Sequence, residues 1–292
     1  MKIGYLSACF PERTFEEVVA WGARSGFQMV EIPCWPKEYE KRRYAGVTHI
    51  DVEKLDDTEV KKIDETLKAN NMEISSLAYY PNYLDPDESK RDFYINHLKK
   101  VIVVARTLNV EVVGTFVGRD KDKDDDYNLK MYKEIFVDIV KFAEEYKIKI
   151  AIENCTMLWT DRWPGGHNIT RSPEIREKMF DLIQSDYIGL NLDPSHLVWQ
   201  FIDYVKAVYS FKDKIFYTHA KDTKMLPDKL AEKGIYGFSF YEDKIAGMGD
   251  IDWKKYLRAL HEVGYKGVVS IEHEDRDWEK NEGICQKRRA FN

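Results

Sequence analysis

Eight short runs rich in β-branched and other apolar residues recur along the chain, and longer stretches of helical periodicity fill most of the gaps between them. The runs are 2–7 (KIGYLS), 28–32 (QMVEI), 73–78 (EISSLA), 111–115 (EVVGT), 148–153 (IKIAIE), 187–192 (YIGLNL), 215–219 (IFYTH) and 267–271 (GVVSI). Helical spacing falls at 14–25, 58–70, 88–108, 129–146, 173–184, 198–211 and 252–263. Strands that alternate with helices are joined by crossovers and so lie parallel. Eight such strands close a barrel. No Pro/Ser/Gly-rich linker divides the 292 residues, so the pattern predicts one α/β domain over 1–292, a (β/α)8 TIM barrel. The doubly wound open sheet is the alternative, but the GxGxxG turn it usually carries is missing after the first run.

Composition narrows the partners. The formal charge is −6, and a mildly acidic surface repels phosphate backbones, which argues against nucleic acid. No stretch is apolar over the length a bilayer crossing needs, so no membrane partner is expected. The start MKIGYLSACF lacks a signal peptide's apolar core and cleavage site. Cys9, Cys34, Cys155 and Cys285 form neither CxxC pairs nor a dense framework, and read as reduced thiols in a cytoplasmic protein.

Four consecutive strands end in a side chain suited to metal ligation: Glu153 in AIENC, Asp193 in NLDPSH, His219 in YTHAKD and Glu272 in SIEHED. Period-two alternation gives three of them a direction. Ile148, Ile150 and Ile152 share the face opposite Glu153; Ile188, Leu190 and Leu192 oppose Asp193; Val269 and Ile271 oppose Glu272. The apolar set faces the helices, and the ligand set faces the barrel axis at the end where this fold builds active sites. Three converging carboxylates would repel one another, and one divalent metal ion relieves that repulsion. Oxygen-rich ligation with one imidazole suits Mn²⁺, Mg²⁺, Co²⁺ or Zn²⁺.

The stretches ENC, WPGGHNITRSP, GLNLDPSHLVWQ, THAKD, GMGDIDW and SIEHED resemble the xylose isomerase-like TIM barrels, the sugar phosphate isomerase/epimerase group. The resemblance is densest over 148–275 and is specific for the superfamily rather than for a substrate. It implies that Glu153, Asp193, His219 and Glu272 hold the metal, and that Glu153 and Glu272 double as acid/base groups. The implied function is isomerisation or epimerisation of a sugar or related polyol ketone through an enediolate. A lyase or dehydratase of the same fold, acting on an inosose or keto-sugar, shares the proton abstraction and stays open. A non-catalytic sugar-binding module is a further reading. A DNA repair endonuclease fits less well, because the strand ends LAYYPN and GTFVG lack the histidines of a trinuclear zinc site. Relatives often form dimers or tetramers, which leaves a homo-oligomer open.

Around the quartet, four residues are candidates for substrate binding. His196, three residues after Asp193, matches a family histidine that contacts substrate or metal. Lys221, two beyond His219, could hold a keto oxygen or a phosphate as a point charge. Glu31, between Val30 and Ile32, should point into the barrel, to bind a substrate hydroxyl or pair with a buried cation. Trp163 lies in the 154–172 connection, which could act as a hinged lid. Asp222 is a weaker candidate for orienting Lys221 or His219. The GMGD turn (Gly247 to Asp250) offers amides to an anion that Asp250 would oppose, and RDKDKDDD at 119–126 reads as a solvated loop.

Overall fold

The structure, a computed structural model, describes residues 1–37, 45–157, 166–237 and 239–279. Eight parallel strands close on themselves: β1 (Lys2–Leu6), β2 (Met29–Pro33), β3 (Glu73–Ala78), β4 (Val112–Thr115), β5 (Lys149–Glu153), β6 (Ile188–Leu192), β7 (Ile215–Met225) and, after a hairpin strand β8 (Tyr241–Ile245), β9 (Val268–Ile271). Closure comes from β7 pairing with both β6 and β9 while β9 pairs with β1. All eight strands expected from the sequence form the barrel, and β8 is an addition to them.

Helices wrap the outside: α1 (Phe15–Arg24), α2 (Asp57–Asn70), α3 (Glu88–Thr107), α4 (Asp125–Tyr146), α5 (Pro173–Leu182), α6 (Ser195–Val198), α7 (Tyr204–Ser210), α8 (Pro227–Lys233) and α9 (Trp253–Glu262). Their starts follow local chemistry. Thr14 and Glu17 form a reciprocal capping box, Asp56 and Asp87 accept from two backbone amides each, and Ser172 precedes Pro173 at the first helical position. Val18, Val19, Leu98, Ile102, Phe136 and Ile139 are buried between this layer and the strands, each such side chain contributing about 1.5–3 kcal/mol. Inside the barrel, Met29, Val112, Ala151, Tyr217 and Val268 pack into a separate plug. No helix among the described residues is long and apolar enough to cross a membrane.

Three local expectations are corrected. The helix predicted over 198–211 breaks at Phe201, whose φ of 58° is left-handed, and restarts after Asp203, which caps α7. The stretch between the run 215–219 and the helical spacing at 252–263, to which the sequence assigned neither strand nor helix, holds an antiparallel pair, Lys221–Met225 against Tyr241–Ile245, and helix α8. Neither strand of that pair buries an unbroken apolar face, so KDTKM and YEDKI carry little alternation to read. The acidic stretch 119–126 is only partly solvated. Arg119 and Asp120 are buried, Asp124 caps α4, and Asp125 pairs with Arg171 at 2.5 Å.

Candidate metal centre

Glu153, Asp193, His219 and Glu272 each present one ligand-type atom, and these atoms lie within 4.8 Å of one another. The strand ends bring them together. Glu153 is the last residue of β5, Asp193 follows β6, Glu272 follows β9, and His219 sits where β7 leaves the barrel beside Ser270. Asn154 clamps two of these ends: its Oδ1 accepts from Asp193 N at 2.7 Å and its Nδ2 donates to Asp193 O at 2.9 Å. The Glu153 carbonyl is fixed in turn by Thr170 Oγ1 at 2.8 Å and Asn168 Nδ2 at 3.2 Å.

His219 is wholly buried, and its two nitrogens face different groups. Nδ1 lies 3.4 Å from Glu153 Oε1 and 3.4 Å from Glu272 Oε2, whereas Nε2 lies 3.0 Å from Glu31 Oε2. Asp193 Oδ1 accepts from Ser195 N at 2.8 Å. Its Oδ2 is buried with no hydrogen-bond donor, although Lys221 Nζ and His196 Nε2 are each 3.3 Å away. The donor set suits a divalent cation. Asp193 has an unused buried oxygen, one imidazole nitrogen faces two carboxylates, and the three carboxylates outnumber the nearby lysine.

The charges perturb one another strongly. Burial and Glu272 push the Glu153 carboxyl up, but the imidazoles of His196 and His219 outweigh them and lower its pKa. Burial raises Asp193, with Lys221 and His196 opposing it. Glu272 is partly buried, and Lys221 and His219 outweigh the upward push of that burial and hold it far below the ordinary carboxylate value. Burial alone would lower Lys221; Glu272, Glu274 and Asp193 instead drive it well above the usual lysine range.

Above the quartet lies a cavity of about 380 Å³ whose walls include Trp35, Tyr80, Phe116, Trp199, Tyr241 and Cys155, with Glu153, His196, Lys221 and Glu272 reaching into it. Trp199 and Tyr241 stack at 5.0 Å with planes 5° apart. Two clefts of about 610 Å³ lie elsewhere, one beside α1 and α2 and one at the opposite barrel end, and neither contains a member of the quartet.

His196 and Lys221 both reach the cavity, each 3.3 Å from Asp193 Oδ2. Glu31 points into the barrel as expected, but beneath His219 and away from the cavity wall, with Tyr80 OH donating to its Oε1 at 3.0 Å. Trp163 lies outside the described residues. The returning limb of its connection is anchored rather than free, since Asn168 also accepts from Gly118 N at 3.1 Å. Asp222 orients neither Lys221 nor His219. Its carboxylate accepts from Thr223 N, Gly247 N, Ile251 N and Trp253 Nε1, which ties the β7–β8 hairpin to the start of α9 and occupies the first amide of the GMGD turn and the one that follows it. A Cβ on Gly249 would lie 2.2 Å from Asp222 Oδ1, so the close approach requires glycine there.

Sequence reasoning missed Glu274, Tyr80 and Tyr241. Glu274 repeats the period of two from Glu272, and its Oε2 receives Lys221 Nζ at 2.8 Å. Tyr80 reaches over the axis because Gly114 leaves room; a Cβ there would sit 2.5 Å from the phenolic oxygen. Tyr241 rides on the unexpected hairpin. Tyr80 and Phe116, following β3 and β4, line the cavity, and the quartet is the one metal-type cluster found among the described residues.

A closed barrel of eight parallel strands wrapped by helices is a TIM barrel, and in this one a histidine and three carboxylates meet at the C-terminal mouth. The chain belongs to the xylose isomerase-like TIM barrel family, which it matches over residues 19–291. It is 26% identical to an inosose isomerase of Bacillus subtilis over 68% of this chain and 66% of that protein. It is 22% identical to an inosose dehydratase of Clostridium botulinum over 90% of this chain and 83% of that protein. A crystal structure of the IolI protein with a bound zinc atom superposes with a TM-score of 0.74 at 20% identity, covering 98% of this chain and 94% of that one.

Proposed function

We propose that the protein is a divalent-metal-dependent isomerase or epimerase of a sugar or related polyol ketone. The observation that carries this reading is the convergence of Glu153, Asp193, His219 and Glu272 at the floor of an aromatic-walled cavity. Relatives named for inosose isomerisation and dehydration support a carbohydrate substrate. The quartet would hold the ion, which supplies Lewis-acid stabilisation of the negative charge that develops next to a carbonyl.

The chain's own residues provide the rest. Glu153 and Glu272 both line the cavity, and they rise from strands three places apart around the barrel. In this reading one carboxylate takes the proton from the carbon beside the carbonyl. The other returns a proton to the same carbon for epimerisation, or to its neighbour for isomerisation, each general acid–base step being worth about 10²–10⁴-fold. Lys221 and His196 bind substrate oxygens at the cavity floor, and the Trp199–Tyr241 stack gives the sugar an apolar wall. A volume near 380 Å³ suits one small ring rather than a polymer.

The second reading is a dehydratase, in which the enediolate expels a β-hydroxyl group. The dehydratase relatives favour it, since that alignment spans most of both chains. A metal-supplemented screen of ketoses, inososes and keto-glycosides, read by product stereochemistry, separates the two. A stereoisomer or aldose–ketose partner as product is the expected outcome; a dehydrated product assigns the lyase, and turnover of none of these compounds contradicts both.

A further inference from the structure

Glu31 is fully buried, and its carboxylate collects three hydrogen bonds. Ser270 Oγ donates to Oε2 at 2.9 Å, Tyr80 OH donates to Oε1 at 3.0 Å, and His219 Nε2 stands 3.0 Å from Oε2. On the same strands, Ser75 Oγ lies 2.6 Å from Tyr217 OH. All of these groups sit on barrel strands or directly after one, where neighbouring elements fix the side-chain direction. Asn191 Nδ2 is 3.1 Å from His219 Nε2 and 3.3 Å from Nδ1. Such near-equal distances put the amide over the ring face, so it does not choose between the nitrogens. Glu31 does choose, since a carboxylate held by two other donors can only accept from the imidazole.

We propose that Glu31 is a positioning residue that holds the proton of neutral His219 on Nε2, leaving the Nδ1 lone pair for a divalent cation shared with Glu153, Asp193 and Glu272. This rests on the metal-binding reading of the quartet and assigns Glu31 to the histidine rather than to the substrate. A carboxylate behind a ligating histidine fixes the ring's tautomer and rotation and raises its basicity, and losing one typically weakens metal binding 10–100-fold.

The test uses the full-length protein loaded with Zn²⁺, which is diamagnetic, and ¹⁵N-labelled histidine. The wild type is expected to show His219 protonated at Nε2 with that proton protected from exchange, assigned by its loss in His219→Asn. A His219 proton found on Nδ1 overturns the proposal without any variant at Glu31. Glu31→Gln should weaken zinc about 10–100-fold in competition with a chelating dye, and saturating metal should restore turnover with KM unchanged. Equal zinc affinity in Glu31→Gln overturns the proposal, as does a raised KM at saturating metal, which would make Glu31 a substrate contact. Ser270→Ala removes one support of Glu31 and stands in if Glu31→Gln does not fold. It should weaken zinc by a few-fold, and unchanged zinc affinity there overturns the proposal equally. Failure of the wild type to bind Zn²⁺ at all would defeat the metal-binding reading itself, and the proposal with it.

Discussion

Lys221 places its ammonium 2.8 Å from Glu272 Oε2, the same oxygen that lies 3.4 Å from His219 Nδ1. A metal-type ligand is thus shared between a fixed cation and the place a divalent ion would take. Glu274 holds the other side of the ammonium at 2.8 Å, so Lys221 keeps a partner of its own.

Replacing Lys221 by Met should separate its two effects. Removing a positive charge beside Asp193 and Glu272 favours a bound cation, and divalent metal affinity should rise roughly tenfold. Substrate loses a charged contact, so KM should rise as well. Calorimetric metal titration and steady-state kinetics read the two effects, and weaker metal binding in Lys221→Met would show that the ammonium organises the carboxylates instead of competing for them.

Glu153→Gln and Glu272→Gln each remove a proton acceptor while keeping the side chain's shape. Turnover should fall at least about 10²-fold in either variant at saturating metal, because in the proposed reaction each glutamate serves one proton transfer. Near-normal kcat in either one would remove it from the acid/base pair.

Asp222→Asn tests the hairpin. Four N–H donors converge on this carboxylate, so the amide should leave at least one of them unpaired and lower unfolding stability by about 2 kcal/mol or more. Because the hairpin carries Tyr241 to the cavity, KM should rise while metal affinity stays put. Denaturant unfolding together with kinetics checks both parts.

Metal should also register as stability. Chelator-stripped protein should lose activity and recover it when a divalent ion is added. At a hundredfold excess over Kd, binding adds about 2.7 kcal/mol, enough to raise Tm by on the order of 5 °C. A Tm indifferent to every divalent ion tried would speak against the site.

The barrel and the quartet were legible because both are written in local period. In β5, Ile150 and Ile152 must face the helices, so Glu153 must face the axis, and β6 and β9 repeat the logic with Asp193 and Glu272. What escaped lacks such a rule. Tyr80 reaches Glu31 only because Gly114, on the next strand, has no side chain, and that dependence joins residues with no shared periodicity. Asp222 looked like a group that orients Lys221 or His219, but apart from the adjacent Thr223 amide its partners are 25–31 residues away, on a turn and a helix start. The β7–β8 hairpin was invisible for the same reason. Lys221 pairs with Ile245 across a connection whose polar strands carry little buried pattern.

The central claim is that Glu153 and Glu272 abstract and return a proton beside a carbonyl, at a site where a divalent ion would stabilise the developing charge. Turnover of the best ketose or inosose substrate in D₂O, followed by NMR or mass spectrometry, tests it most directly. Substrate and product should gain one non-exchangeable deuterium at the carbon next to the carbonyl, only when a divalent ion is present and not with Glu272→Gln. Conversion without solvent deuterium, or at the same rate after metal is stripped away, would contradict it.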